Sequence, residues 1–166
     1  MFQKVDSNTL CEKMFTRFAS EWFLLTAGDP EHCNTMTAAW GGIGVLWGKN
    51  VATVYVRSDR YTKEFMDEND FFTMSFLGDG YRDELNLCGT ESGRTMDKIK
   101  EAGLTKVELD GTTAFEEAEF VLVCKKLCRQ ELTPEFFCDP AIDAIYAGSD
   151  KYHIMYIGEI IGLYRK

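Results

Sequence analysis

The sequence predicts a mainly β fold with short helices, its strands mostly antiparallel and wrapped into a barrel. Three observations carry that expectation. Runs rich in β-branched and aromatic residues recur about seven times along the chain. In the first half these runs are separated by turn residues, such as Gly28-Asp29-Pro30 and Gly48-Lys49-Asn50, and not by helices. A doubly wound parallel sheet would need a helix after nearly every strand, which argues against that class. Helical spacing, finally, occurs only in short pieces. With 166 residues, no internal repeat, no low-complexity tract and three prolines (Pro30, Pro134, Pro140), the chain reads as a single domain over residues 1–166.

The elements follow in order. Leu10, Met14, Phe15 and Phe18 fall at i, i+4, i+5 and i+8, the stripe of a short amphipathic helix. Trp22–Thr26 reads as a strand stopped by the Gly-Asp-Pro turn. Cys33–Trp40 alternates as a second strand, with Asn34, Met36, Ala38 and Trp40 on one face and Thr35, Thr37 and Ala39 on the other. Gly41 and Gly42 give a bend or bulge before a strand over Ile43–Trp47. Val51–Arg57 is strongly strand-like through Val51, Thr53, Val54 and Val56. Tyr61–Glu68 is expected as a short helix and Phe71–Leu77 as a strand. Arg82–Leu87 and Thr95–Ala102 read as helices, the second closed by Gly103. Phe120–Leu127 and Tyr152–Leu163 complete the strands, with Gly158 inside the last.

Charge narrows the function. Lys plus Arg is 18 against 27 Asp plus Glu, a formal net charge of −9. A nucleic-acid binder needs a basic stripe to displace counterions, and an anionic membrane surface attracts basic segments, so neither partner is expected. The apolar run Trp22–Leu25 is far too short for the roughly 20 residues of a spanning helix. No apolar stretch with a small-residue cleavage site follows Met1–Asp6, so the six cysteines (Cys11, Cys33, Cys88, Cys124, Cys128, Cys138) are expected as reduced thiols in a cytoplasmic protein. With two histidines, His32 and His153, and no HxxxH or HExxH spacing, no zinc site is expected. The chain also lacks GxSxG, GxxxxGK[ST] and GxGxxG, which sets aside serine hydrolases, P-loops and Rossmann sites.

Three clusters can carry chemistry. Asn34-Thr35-Met36-Thr37-Ala38-Ala39-Trp40-Gly41-Gly42 is dense in small and hydroxyl side chains and ends in a large aromatic. It suits a planar, heteroatom-rich ligand with Trp40 as a flat wall, or a Thr-rich strand with one solvated face. Val56-Arg57-Ser58-Asp59-Arg60-Tyr61-Thr62-Lys63 sits where a strand meets a helix. Its cations suit phosphate oxygens, with Thr62 adding a hydroxyl, or a solvated turn paired to nearby acids. Cys88-Gly89-Thr90-Glu91-Ser92-Gly93-Arg94-Thr95-Met96-Asp97-Lys98 is a small-residue loop opening a helix, which Ser92 or Thr95 caps in the simplest reading.

Taken in register, these clusters and Tyr152-His153-Ile154-Met155-Tyr156-Ile157-Gly158-Glu159 resemble the flavin reductase-like FMN-binding split-barrel family, in its flavoredoxin-like branch. The likeness runs from about Phe23 to Ile160, nearly the whole chain. It implies an FMN-binding split β-barrel, mostly antiparallel, that forms a homodimer with FMN as cofactor. Asn34, Thr35, Met36, Thr37, Ala38, Ala39 and Trp40 would line the isoalloxazine and ribityl chain. Arg57, Arg60 and Thr62, with Tyr61 between them, would hold the phosphate. Cys88, the Ser92-Gly93-Arg94 turn and Lys98 would approach the flavin from another side. His153 is implied near the nicotinamide or flavin, as a catalytic residue or as a hydrogen-bonded structural histidine. The chain departs from the family pattern at Ala39, where Ser is frequent, at Ser58, where Pro is frequent, and at Thr95, where Asp is common.

The function implied is an oxidoreductase of flavin reductase type, moving electrons from NAD(P)H through FMN to a flavin or protein acceptor. Its rival is a flavoredoxin-like FMN electron-transfer protein without NAD(P)H activity of its own, whose acidic surface would steer a basic partner. A flavin-free binding domain on the same barrel is a third possibility, because fold alone does not fix function.

Overall fold

The computed structural model describes residues 1–10 and 12–166; Cys11 lies outside them. The β-rich runs form β1 (Gln3–Val5), β2 (Phe23–Gly28), β3 (Cys33–Ala38), β4 (Gly41–Leu46), β5 (Lys49–Arg57), β6 (Phe71–Phe76), β7 (Lys106–Leu109), β8 (Thr112–Phe115), β9 (Phe120–Glu131) and β10 (His153–Arg165). Between them lie the short helices α1 (Met14–Thr16), α2 (Thr62–Glu68), α3 (Arg82–Thr90), α4 (Lys98–Glu101) and α5 (Ala141–Ala144).

One large sheet has the order β3-β2-β6-β9-β10-β5-β4, and every pairing in it is antiparallel. Its two outermost strands are consecutive in the chain, with only Ala39 and Trp40 between them. Two residues span no more than about 7 Å. The sheet therefore curls until its edges meet at Ala39–Trp40, and with no ladder between β3 and β4 the barrel stays split there. The long β10 pairs with β5 through its first half and with β1 through Leu163–Arg165. Gly158 in β10 is needed for packing: a Cβ there would lie 2.7 Å from the Phe72 ring and 2.8 Å from Cys124 Cβ.

Side-chain alternation divides the core in two. Phe23, Leu25, Val54, Phe72, Phe76, Phe120 and Leu122 fill the barrel. Their rings stack, Phe23 on Phe76 at 5.2 Å and Phe76 on Phe120 at 4.4 Å between centroids. Leu24, Val121 and Val123 face outward onto Leu85, Cys88, Leu104 and Phe115 of the outer layer. β2 is buried on both faces and is apolar but for Thr26, whose hydroxyl is paired with Thr35.

Several elements differ from expectation. The stripe Leu10–Phe18 is helical only from Met14, and it continues as a π-helical turn over Arg17–Glu21. Trp22, at φ 69°, ends that turn, so the strand begins one residue later than the apolar run. The helix expected over Thr95–Ala102 starts at Lys98, because Asp97 and not Ser92 or Thr95 accepts its free N–H, from Lys100 at 3.2 Å. β1, the β7–β8 hairpin and α5 were outside the expected elements. The five described cysteines are free. Among the described residues no helix is long and apolar enough to cross a membrane.

Candidate functional site

The three clusters converge at the split in the barrel. Asn34 and Met36 project from edge strand β3, Arg60, Tyr61 and Thr62 come from the turn joining β5 to α2, and Cys88, Ser92, Gly93 and Lys98 come from α3, its following loop and α4. Together they line a cleft of about 470 Å³. A second chamber of about 480 Å³ shares Met36 and Arg60 with it and adds Thr37, Ala38, Ala39, Trp40, Tyr55, Arg57 and His153.

Polar contacts hold the first cleft in shape. Asn34 Nδ2 donates to Thr62 Oγ1 at 2.7 Å, tying β3 to the start of α2. Gly93 packs directly on the Asn34 amide, where a Cβ would collide with Oδ1. Arg60 Nη1 donates to the Gly89 carbonyl at 3.2 Å, joining the turn to α3. Arg57 Nε donates to the Lys151 carbonyl at 3.2 Å.

Lys98 sets the electrostatics. Its side chain is buried, with the residue 5% exposed, yet its ammonium makes one protein hydrogen bond, to the Cys88 carbonyl at 2.9 Å. No carboxylate of the described residues pairs with it, nor with Arg57 or Arg60. Burial lowers the Lys98 pKa from its ordinary value, an effect that nearby Arg60 adds to. Lys98 and Arg60 line the first cleft together with Asp59 and Glu91, whereas Arg57, expected beside Arg60 on the phosphate, lines the second chamber. The two cations without a carboxylate within 4.0 Å make this end of the cleft suited to an anion.

Arg94 behaves otherwise. It pairs with Glu64 and lies over the Tyr61 ring at 4.6 Å, in a neighbouring groove. Thr35 turns away from the cleft, its hydroxyl 2.8 Å from Thr26 Oγ1 within the sheet. Thr37 donates to the Leu85 carbonyl, fastening β3 to α3. Burial pushes the Cys88 thiol up to about 11, so it is neutral, and it does not share a cavity with His153.

His153 opens β10 directly opposite Arg57 on β5. Its ring lies 4.8 Å from Trp40, and Tyr146 Oη is 2.9 Å from Nδ1. Burial, with Arg57 and Arg60 nearby, lowers its pKa to about 4 against a weaker opposing effect of Asp59. The imidazole is therefore neutral at neutral pH. Tyr146 was missed in the sequence, since a lone tyrosine in a segment without periodicity carries no signal.

Comparison with known proteins agrees with this architecture. Solved structures that share the fold include an FMN-binding domain of a flavin reductase-like enzyme from Shewanella baltica, at 18% identity and TM-score 0.69, covering 99% of this chain and 77% of that one. A flavoredoxin from Methanosarcina acetivorans matches at 22% identity and TM-score 0.68, covering 99% and 76%. An NADH:FAD oxidoreductase from Streptomyces globisporus matches at 16% identity and TM-score 0.68, covering 93% and 80%. Curated protein sequences give no match. The family model for the flavin reductase like domain matches residues 15–165, and the chain belongs to that family.

Proposed function

We propose that this protein is an FMN-binding oxidoreductase of flavin reductase type, taking electrons from NAD(P)H and delivering them to a flavin or protein acceptor. The observation that carries this reading is the buried, unpaired Lys98 ammonium beside Arg60 in the cleft under β3. A buried charge left without a counter-ion costs several kcal/mol by general experience, about 3–5, and a phosphate dianion would remove that cost. The residues present therefore fit FMN. Lys98, Arg60 and the Thr62 hydroxyl would hold the phosphate, with Ser92 and Gly93 closing over it. Asn34 and Met36 would lie along the ribityl chain, and Trp40, Ala39 and Arg57 would bound the ring in the second chamber.

Bound there, FMN would supply two-electron redox chemistry at its isoalloxazine ring. The chain's own residues would do the rest. Trp40 would bound one face of the ring, Tyr55 and Thr37 would form the chamber walls, and neutral His153 would offer a hydrogen bond at the ring's edge. A homodimer is part of the same reading, supported by the outer strand β4 and the turn after it, where Val45 is 74% and Trp47 61% exposed. A cytoplasmic location is supported by the free thiols of the five described cysteines.

Adding NADH or NADPH anaerobically to the FMN-loaded protein tests the reading. Bleaching of the flavin absorption with either nucleotide is expected. Persistence with both would favour the second reading, an electron-transfer protein, which the net charge of −9 and the likeness to the Methanosarcina acetivorans flavoredoxin support.

A further inference from the structure

The Lys98 ammonium and the Arg60 guanidinium dock on successive carbonyls at the end of α3, those of Cys88 at 2.9 Å and Gly89 at 3.2 Å. Neighbouring carbonyls of one helical turn hold the two cationic heads side by side, at the negative end of the helix. Thr62 completes the group. Its Oγ1 accepts from Asn34 at 2.7 Å, which leaves the hydroxyl proton to be donated, and Thr62 makes no other side-chain hydrogen bond among the described residues. Ammonium, guanidinium and hydroxyl line one cleft.

One of the three is also a nucleophile. Lysine attacks a carbonyl carbon only as the free amine. Burial lowers the Lys98 pKa from its ordinary 10.5, and Arg60 adds to this, against opposing effects of Cys88 and Glu91. Lys49 and Lys63, each paired with a carboxylate at 2.7 Å, lie outside the cleft. A small molecule that is both an anion and an electrophile would therefore be held and attacked in one place.

We infer that Lys98 is a modification site for small acyl phosphates, which acylate its Nζ while Arg60 and the Thr62 hydroxyl hold the phosphate. The ammonium first gives one proton to water. A bond then forms from Nζ to the acyl carbon, and the bond from that carbon to the phosphate oxygen breaks, its electron pair leaving with the phosphate. A second proton passes from the nitrogen to the departing phosphate. The products are a lysine amide and inorganic phosphate, and nothing is oxidised or reduced. The amide carries no charge and fills the anion-holding end, so the modification closes the cleft to FMN. The inference rests on the phosphate placement proposed above, and only its closing of the cleft to FMN rests on the flavin reading.

Acetyl phosphate is incubated with the flavin-free protein, and acetylation of each lysine is followed by peptide mass spectrometry. Lys98 should react at least about tenfold faster than Lys49 or Lys63, the preference that one charge-assisted contact to the phosphate supplies. Excess inorganic phosphate, and separately FMN, should suppress the reaction at Lys98 alone. With p-nitrophenyl acetate, an acyl donor without a phosphate, most of the preference should vanish. Arg60→Gln should slow the reaction of Lys98 with acetyl phosphate about tenfold and leave Lys49 and Lys63 unchanged. A Lys98 rate no greater than that of the two paired lysines overturns the inference, as does an equal preference with p-nitrophenyl acetate. Suppression by inorganic phosphate but not by FMN upholds the acylation and counts against the flavin reading. Binding of FMN without preferred acetylation does the reverse. The wild-type rates decide the matter even if the variant does not fold.

Discussion

Replacing Lys98 by Met keeps the apolar stem of a buried side chain and removes its charge. Without ligand the ammonium has one carbonyl partner and no carboxylate, so its loss should leave the apo protein as stable as before or more stable. With FMN the change reverses sign, because a charge-assisted hydrogen bond contributes about 1.5–3 kcal/mol and every 1.4 kcal/mol is about tenfold in affinity. FMN binding should therefore weaken about 10- to 100-fold. At a flavin concentration of about 100 times the wild-type Kd, ligand stabilises the wild type by about 2.7 kcal/mol and the variant by only about 0.4–1.4 kcal/mol. For a chain of this size that difference corresponds to about 3–9 °C in melting temperature. Thermal melts of both proteins with and without FMN provide the assay. An FMN-dependent shift in Lys98→Met equal to that of the wild type would refute the placement of the phosphate.

Other consequences concern different parts of the molecule. Gly158→Ala forces a methyl group to 2.7 Å from Phe72 and should cost about 1–3 kcal/mol, measured by urea unfolding; an unchanged midpoint would show that the barrel interior yields there. His153 has a folded pKa of about 4 against an ordinary 6.5, so the unfolded chain binds the extra proton first. Stability should decline as pH falls from 6.5 toward 4, and His153→Gln should flatten that part of the curve in melts at successive pH values. Val45→Glu on the exposed edge strand β4 should convert a dimer to monomer by sedimentation, and a variant that sediments like the wild type would place the interface elsewhere.

The strands that build the barrel were legible because they are apolar on one or both faces. β2, β5, β6, β9 and β10 fall where β-branched and aromatic runs lie, and α2 falls where helical spacing returns. β1 was invisible: Gln3-Lys4-Val5 has no apolar alternation, and it is a strand only because Leu163–Arg165 offers a free edge. The β7–β8 hairpin carries one local signal, the Asp110-Gly111 pair, whose positive φ values of 49° and 80° suit a tight turn. The π-helical turn at Arg17–Glu21 reflects tertiary contacts of Phe18 with Phe23 and Phe76, which no local pattern encodes.

The candidate site was legible in composition and not in geometry. Three clusters were visible as stretches of sequence. Their convergence depends on β3 being an edge strand, a fact of topology. Arg94 and Lys98 lie four residues apart in one motif, yet Glu64 pairs with the first and burial isolates the second. Tyr146 entered only with the fold.

Riboflavin lacks only the phosphate of FMN, so parallel fluorescence titrations of the wild-type protein with the two flavins test the cleft most directly. Two or more charge-assisted contacts from Lys98 and Arg60, at about 1.5–3 kcal/mol each, should make FMN bind at least about 100-fold more tightly. Equal affinity for the two, or no uptake of either, would contradict a phosphate-holding cleft beneath β3.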